Sequence, residues 1–197
     1  MSYEYLLFDL GHVLVQLRTF DFLVRFKPEW DKQQIEHWWS NLVCIRLFET
    51  GQIDEHAFLK RAVKETDFTG TVSEFKDLFA SWVLGVYPGA EALIEGLKKS
   101  VRIGVLSNTN PFHISLLRSR SNLLDAFHDC FFSYELGCLK PDQRTYEYVL
   151  ERIKIPAERV VFFDDNRENV EAAAVVGLQA IWVSGFEDLT KKLDRLI

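Results

Sequence analysis

Four short apolar runs in the second half of the chain, at residues 102–106, 130–133, 160–163 and 180–183, alternate with stretches whose apolar residues recur at helical spacing. Short apolar runs bounded by turn formers predict strands buried on both faces, and such strands separated by helices predict a parallel sheet with helices on both sides. A further run at residues 5–8 ends in Asp9 and supplies one more strand. The clearest helix carries Tyr146, Val149, Leu150 and Ile153, a stripe at spacing three and four that should lie on the sheet. In sheets of this kind ligands bind beyond the carboxyl ends of the strands.

Between the first strand and a turn at Tyr87-Pro88-Gly89 the pattern changes. Residues 20–26, 33–39, 42–48, 57–63 and 75–83 each have helical spacing, with almost no strand pattern among them. Gly51 should stop one of these helices and Asp54 should cap the next. The expected organisation is a core built from residues 1–15 and 86–197, with residues 16–85 inserted as a helical domain. An insertion leaving the carboxyl edge would sit over a site there as a lid.

Three of the strands stop on polar residues: Asp9, then Ser107-Asn108-Thr109, then Asp164-Asp165. Taken singly, Asp9 reads equally well as a turn former, and Ser107-Asn108-Thr109 as a helix entry. The pair Asp164-Asp165 is less easily explained that way, because it follows four apolar residues and meets Asp9 if the sheet forms. Two like charges near 4 Å repel by about 4 kcal/mol at an effective dielectric of 20. Three crowded carboxylates therefore need a cation or raised pKa values. Oxygen ligands with no Cys or His among them suit Mg²⁺, which commonly holds a substrate phosphate as well. Lys140 precedes a proline that forces extended backbone and Asp142, which can cap the next helix; alone it reads as a solvated lysine.

Composition narrows the partners. Of 197 residues, 48% are hydrophobic and 26% charged, and the formal net charge is −6, which fits a globular domain and argues against nucleic acid or an anionic membrane. The start MSYEYLLFDL has no basic segment before its short apolar run, and no later stretch is long enough to span a bilayer, so a cytoplasmic protein is expected. Cys44, Cys130 and Cys138 lack C-x-x-C spacing and read as isolated thiols. A monomer or weak homodimer is the expectation for assembly, with a small molecule as the partner.

FDLGHVL, LSNTN, LKPDQRTYEYVL and FFDDNRENV, in that order, resemble the four motifs of the haloacid dehalogenase superfamily, over residues 4–110 and 131–177. The wording is most similar to the branch containing the bacterial α-D-glucose-1-phosphate phosphatases and their sugar-phosphate relatives. The resemblance implies an α/β fold, a doubly wound parallel sheet forming a Rossmannoid core with an inserted helical cap domain. It implies Asp9 as a nucleophile forming an aspartyl-phosphate, with Mg²⁺ held by Asp9, the Gly11 carbonyl and Asp165, supported by Asp164 or Asn169. Ser107, Asn108, Thr109 and Lys140 would bind the phosphoryl group, and Lys140 would keep Asp9 ionised.

One position departs from that pattern. The phosphatases of the superfamily carry a second Asp two residues after the nucleophile as general acid and base, and here that residue is Gly11. Such help is worth about 10² to 10⁴ in rate, so the substitution favours substrates with good leaving groups, such as anomeric sugar phosphates. His12 is the neighbouring candidate for replacement, although a loop histidine bonded to backbone is the simpler reading. A 2-haloacid dehalogenase, which lacks the second Asp and needs no metal, and a catalytically silent binding domain are the alternatives.

In the cap, Trp38 and Trp39 are adjacent and cannot share a helix face. Both read as packing residues, with one facing the cleft as the alternative. Phe22, Trp30, Phe48 and Trp82 read as cap core. Arg46 and His37 read as solvent-facing, with a reach to substrate hydroxyls as the alternative.

Overall fold

The computed structural model describes residues 3–19, 23–24 and 27–196. Five parallel strands form the central sheet: β1 (Tyr5–Phe8), β4 (Arg102–Ser107), β5 (Asp129–Phe132), β6 (Val160–Asp164) and β7 (Gln179–Trp182), in the spatial order β5-β4-β1-β6-β7. The four-residue run of β1 is buried throughout. Its alternate residues enter different cores, Leu6 and Phe8 on one face and Tyr5 and Leu7 on the other, as a strand of period two between two helical layers must. The first face is covered by α5 (Ala90–Leu97), α6 (Pro111–Arg120) and α10 (Phe186–Leu196), and the second by α8 (Gln143–Ile153) and α9 (Arg167–Val175). Tyr146, Val149 and Ile153 of α8 are buried as the stripe predicts, and Asp142 caps the helix by accepting from the Arg144 N–H.

Gly104 has a specific steric duty in β4. The Tyr5 hydroxyl crosses over it to donate to Asp129 Oδ2 at 2.9 Å, and a Cβ on Gly104 would lie 2.0 Å from that hydroxyl oxygen.

The strand order reverses beside β1, since the chain builds outward through β4 and β5, then returns to place β6 on the other side. Loops diverge at this point and leave a crevice at the carboxyl edge. Phe8 pairs with both Val105 and Phe163, so the next residues, Asp9, Leu106 and Asp164, arrive there level.

Among the described residues, the segment between β1 and α5 carries four α-helices, α1 (Lys32–Ser40), α2 (Val43–Glu49), α3 (Glu55–Glu65) and α4 (Val72–Ala80). Asp54 caps α3, and Gly51 at φ 68° follows the end of α2. These helices enclose their own core, in which Phe48 stacks on Phe58 at 4.4 Å and Trp39 packs on Trp82 at 5.2 Å. Trp38 instead packs edge-on against Trp30. The helical expectation for residues 20–26, including Phe22, lies largely outside the described residues.

The expectation of almost no strand in this stretch is corrected by a two-stranded antiparallel ribbon, β2 (Val15–Leu17) with β3 (Val83–Val86). Val83, read as the last residue of a helix, opens β3. The ribbon is the stalk on which the helical unit leaves and rejoins the core, and the expected boundaries at 15/16 and 85/86 fall within it. No helix among the described residues is long and apolar enough to cross a membrane.

Candidate active site

The crevice at the carboxyl edge is roofed by the inserted helices, enclosing a cavity of about 820 Å³. Asp9, Ser107, Asn108, Thr109, Lys140 and Asp165 line it, with Gly11, His12 and Asn169. Each catalytic, phosphate-binding or metal-binding candidate of the core therefore reaches this cavity, except Asp164, which lies beneath it.

Lys140 organises the floor. Its side chain is 2% exposed, and its ammonium commits its three N–H donors to Asp9 Oδ1 at 2.8 Å, Asp164 Oδ2 at 2.6 Å and the Leu106 carbonyl at 3.0 Å. Burial works against its charge, but Asp164 and Asp9 outweigh it and hold the lysine above its ordinary value. The Asn108 side chain positions this lysine by clamping its backbone, accepting from the Lys140 N–H and donating to its carbonyl, each at 2.9 Å. Thr109 is tied down by Ser133, whose hydroxyl accepts from the Thr109 N–H and donates to its carbonyl. The Ser107 hydroxyl makes no hydrogen bond with the described residues and faces the cavity.

The three carboxylates have different surroundings. Asp164 is fully buried, and both its oxygens are occupied by Lys140, the Asn169 amide nitrogen and the Asn166 N–H. Asp165 is half-buried and accepts from no neighbouring side chain; its backbone carbonyl accepts from the Trp182 indole at 2.7 Å, which fixes the turn. Burial and Asp164 push the Asp165 carboxyl up to about 6. Asp9 is pushed up to about 7 by burial, with Asp164 and Asp165 adding to it, although Lys140 pulls the other way. Lys140 thus opposes protonation of Asp9 without overcoming burial. One ligand oxygen from each carboxylate lies within 4.8 Å of the others. A crowded all-oxygen set, with Asp9 Oδ2 and the Asp165 carboxylate not engaged by the lysine, fits a hard divalent cation.

The Gly11 carbonyl accepts from the Val13 N–H at 2.6 Å. A Cβ at Gly11 would lie 2.9 Å from Leu17 Cδ1, so Leu17 of the stalk occupies the space a longer side chain would need. His12 adopts a left-handed backbone (φ 55°) with its N–H bonded to the Val15 carbonyl.

The roof and the core helix α6 contribute groups not anticipated from the sequence. Glu49, at the end of α2, lines the cavity without a hydrogen bond or ion pair to the described residues, and burial alone pushes its carboxyl up to about 7. Its position four residues after buried Ile45, inside the apolar face of α2, is the available sequence clue. His113 of α6 also lines the cavity, stacked on Phe79 at 4.1 Å with Nε2 at 3.0 Å from the Phe79 carbonyl. Trp39 faces the cavity from α1, whereas Arg46 and His37 are exposed and lie outside it.

Comparison with known proteins follows the same lines. A family model described as haloacid dehalogenase-like hydrolase matches residues 6–177. A phosphorylated carbohydrates phosphatase of Thermotoga maritima is 32% identical over 118 residues, 59% of this chain and 54% of that protein. An (S)-2-haloacid dehalogenase of Burkholderia cepacia is 23% identical over 158 residues, 79% of this chain and 68% of that protein. The chain spans about half the length of the curated phosphatases it matches. A solved haloacid dehalogenase family enzyme of Bacteroides thetaiotaomicron, in complex with magnesium and inorganic phosphate, superposes with a TM-score of 0.82 at 22% identity, covering 97% of this chain and 99% of that one.

Proposed function

The chain belongs to the haloacid dehalogenase-like hydrolase family, and within it we propose a Mg²⁺-dependent phosphatase of small phosphorylated metabolites, sugar phosphates of the glucose 1-phosphate type foremost. The observation that carries this reading is the grouping of Asp9, Asp164 and Asp165 around one buried lysine. Two further carboxylates beside a metal-free nucleophile would repel an anionic substrate, whereas beside a cation they serve as its ligands.

Asp9 and Asp165 would hold Mg²⁺, with the Gly11 carbonyl, while Asp164, held by Lys140 and Asn169, orients the group. When bound, the metal screens the charge of the nucleophile from that of the phosphate. Asp9 attacks phosphorus through one of its carboxylate oxygens. The bond from phosphorus to the leaving-group oxygen breaks, and water then hydrolyses the aspartyl-phosphate to regenerate Asp9. The Ser107 hydroxyl and the Asn108 N–H receive the phosphoryl oxygens, and Lys140 contributes by exchanging one of its present bonds. With Gly11 supplying no general acid, anomeric and acyl phosphates should react faster than simple alkyl esters. His12 is the one titratable group in this loop placed to assist.

Dehalogenation is the second reading, supported by Gly11 and by the dehalogenase relative. Phosphate release from sugar phosphates and acetyl phosphate, with Mg²⁺ or with EDTA and beside Asp9→Asn, tests the proposal. Release that needs metal and Asp9 is expected. Halide release from 2-haloacids that survives EDTA, with no phosphate released, overturns it.

A further inference from the structure

Glu49 is half-buried, lines the cavity, and has no hydrogen bond or ion pair with the described residues, so its carboxylate is open to a ligand there. It lines the cavity from the roof, and Asp9 and Asp165 line the same cavity from the core. The end of α2 that carries it is seated on the core. Gly51 adopts φ 68°, and a Cβ there would lie 2.2 Å from the carbonyl oxygen of Tyr134, in the segment that follows β5. Glu49 is therefore held at a fixed place above the site.

Apart from Ser40, the roof is otherwise apolar and anionic among the described residues. Trp39, Phe79, Trp82 and Ile45 form its wall, Glu36 stands at its rim, and no Lys or Arg of the inserted helices lines the cavity among the described residues. On the core side Lys140 is committed to Asp9 and Asp164, and the Arg167 guanidinium lies over the Trp182 ring at 4.2 Å. His113 is kept neutral near pH 7, its value pushed down to about 4 by burial. A second phosphate or a carboxylate on the substrate would meet Glu49 on the roof, where no Lys or Arg among the described residues of the inserted helices lines the cavity. Trp39 and Trp82 are 5% and 9% exposed, so they present edges rather than the open faces a cationic headgroup would need.

We propose that Glu49 determines specificity by accepting hydrogen bonds from hydroxyl groups of the leaving group, so that the site selects monophosphates of neutral sugars and polyols and rejects substrates with a second anion. This rests on the phosphatase reading. A carboxylate pushed up by burial is relieved by hydroxyl donors, which replace the water it has lost.

The test compares wild type with Glu49→Ala and Glu49→Gln on a hexose monophosphate, a pentitol monophosphate, a hexose bisphosphate, phosphoethanolamine and acetyl phosphate. The ratio of kcat/KM for the polyol monophosphates to that for acetyl phosphate, which has no hydroxyl, should fall by about 10- to 100-fold in Glu49→Ala, mostly through KM. Discrimination against the bisphosphate should weaken in both variants. Calorimetric binding of the same monophosphates to Asp9→Asn and to Asp9→Asn/Glu49→Ala supplies a readout that needs no turnover. A Kd raised at least tenfold in the double variant supports Glu49 even if wild type releases no phosphate, in which case the phosphatase reading alone fails. An equal fall for every substrate, unchanged Kd values, or a preference for phosphoethanolamine overturns the assignment. Thermal unfolding should show Glu49→Gln at least as stable as wild type, which separates loss of selection from loss of fold.

Discussion

Replacing Lys140 by Met isolates the charge at the centre of the floor, because an unbranched apolar side chain is kept while the ammonium, which lies 5.4 Å from the centre of the Phe162 ring, is lost. At an effective dielectric of 20 each of its contacts, at 2.8 Å to Asp9 and 2.6 Å to Asp164, represents about 6 kcal/mol of attraction. Desolvation of three buried groups offsets much of this, so the measurable quantity is the penalty for leaving the carboxylates without their partner, about 3–5 kcal/mol. For a chain of 197 residues, at 2–4 °C per kcal/mol, the melting temperature should fall by roughly 6–20 °C. Two signatures identify the cause. Asp9, already pushed up to about 7, rises further without the lysine and takes up a proton on folding, so the variant loses stability as the pH rises from the ordinary carboxylate value through the raised one. The deficit measured by urea unfolding in EDTA should therefore be larger at pH 8 than at pH 6. Mg²⁺ should then stabilise the variant more than the wild type, since a cation replaces the lost charge. A deficit below 1 kcal/mol, or one indifferent to both pH and Mg²⁺, would refute the electrostatic account.

Other perturbations follow from the same geometry. Gly51→Ala combines a left-handed backbone, costing an L-residue about 1–2 kcal/mol, with a Cβ driven against the Tyr134 carbonyl; the melting temperature should drop by several degrees and tryptophan emission should shift red as the roof lifts, and an unchanged spectrum would count against a seated cap. His113, half-buried and pushed down to about 4 by desolvation, stays neutral when folded but is protonated near 6.5 when unfolded. Its contribution is complete above pH 6.5 and lost as the pH falls toward 4, by about 3 kcal/mol at most, so His113→Gln should flatten the stability profile across that window. Asn169→Ala removes both 3.1 Å bonds to buried Asp164, for which a loss of about 1.5–3 kcal/mol in urea unfolding is expected; a loss under 0.5 kcal/mol would show that Lys140 and the Asn166 N–H suffice.

The sheet was readable because parallel strands covered on both faces are continuous apolar runs, and β1, β4, β5 and β6 each start and stop within about one residue of the pattern. The ribbon was not. Three residues from Val15 are too few to establish a period of two, and Val83 prolongs the apolar spacing that Phe75 and Phe79 set for α4, so it read as helix. For the site, Asp164 and Asp165 stood out because two acids after four buried apolar residues have no surface to reach, and Asp9 stood out because the parallel register carries it to the same edge. Ser107, Asn108 and Lys140 were ambiguous one at a time and became informative only in order.

Glu49 lay beyond that reasoning for a physical reason. A glutamate on a short helix faces water by default, and which side of α2 is covered depends on where the inserted helices come to rest on the core. The seating of Gly51 against Tyr134 decides this, and it joins residues 83 positions apart in sequence. The nucleophile and its lysine are fixed by strands whose register is local and regular, whereas the groups facing the leaving group are fixed by the docking of one hydrophobic unit on another. The same division separates the effects of substitution. Changes at Asp9, Lys140 or Asp164 should alter turnover of every substrate together, and changes at Glu49 or Gly51 should alter which substrate is preferred.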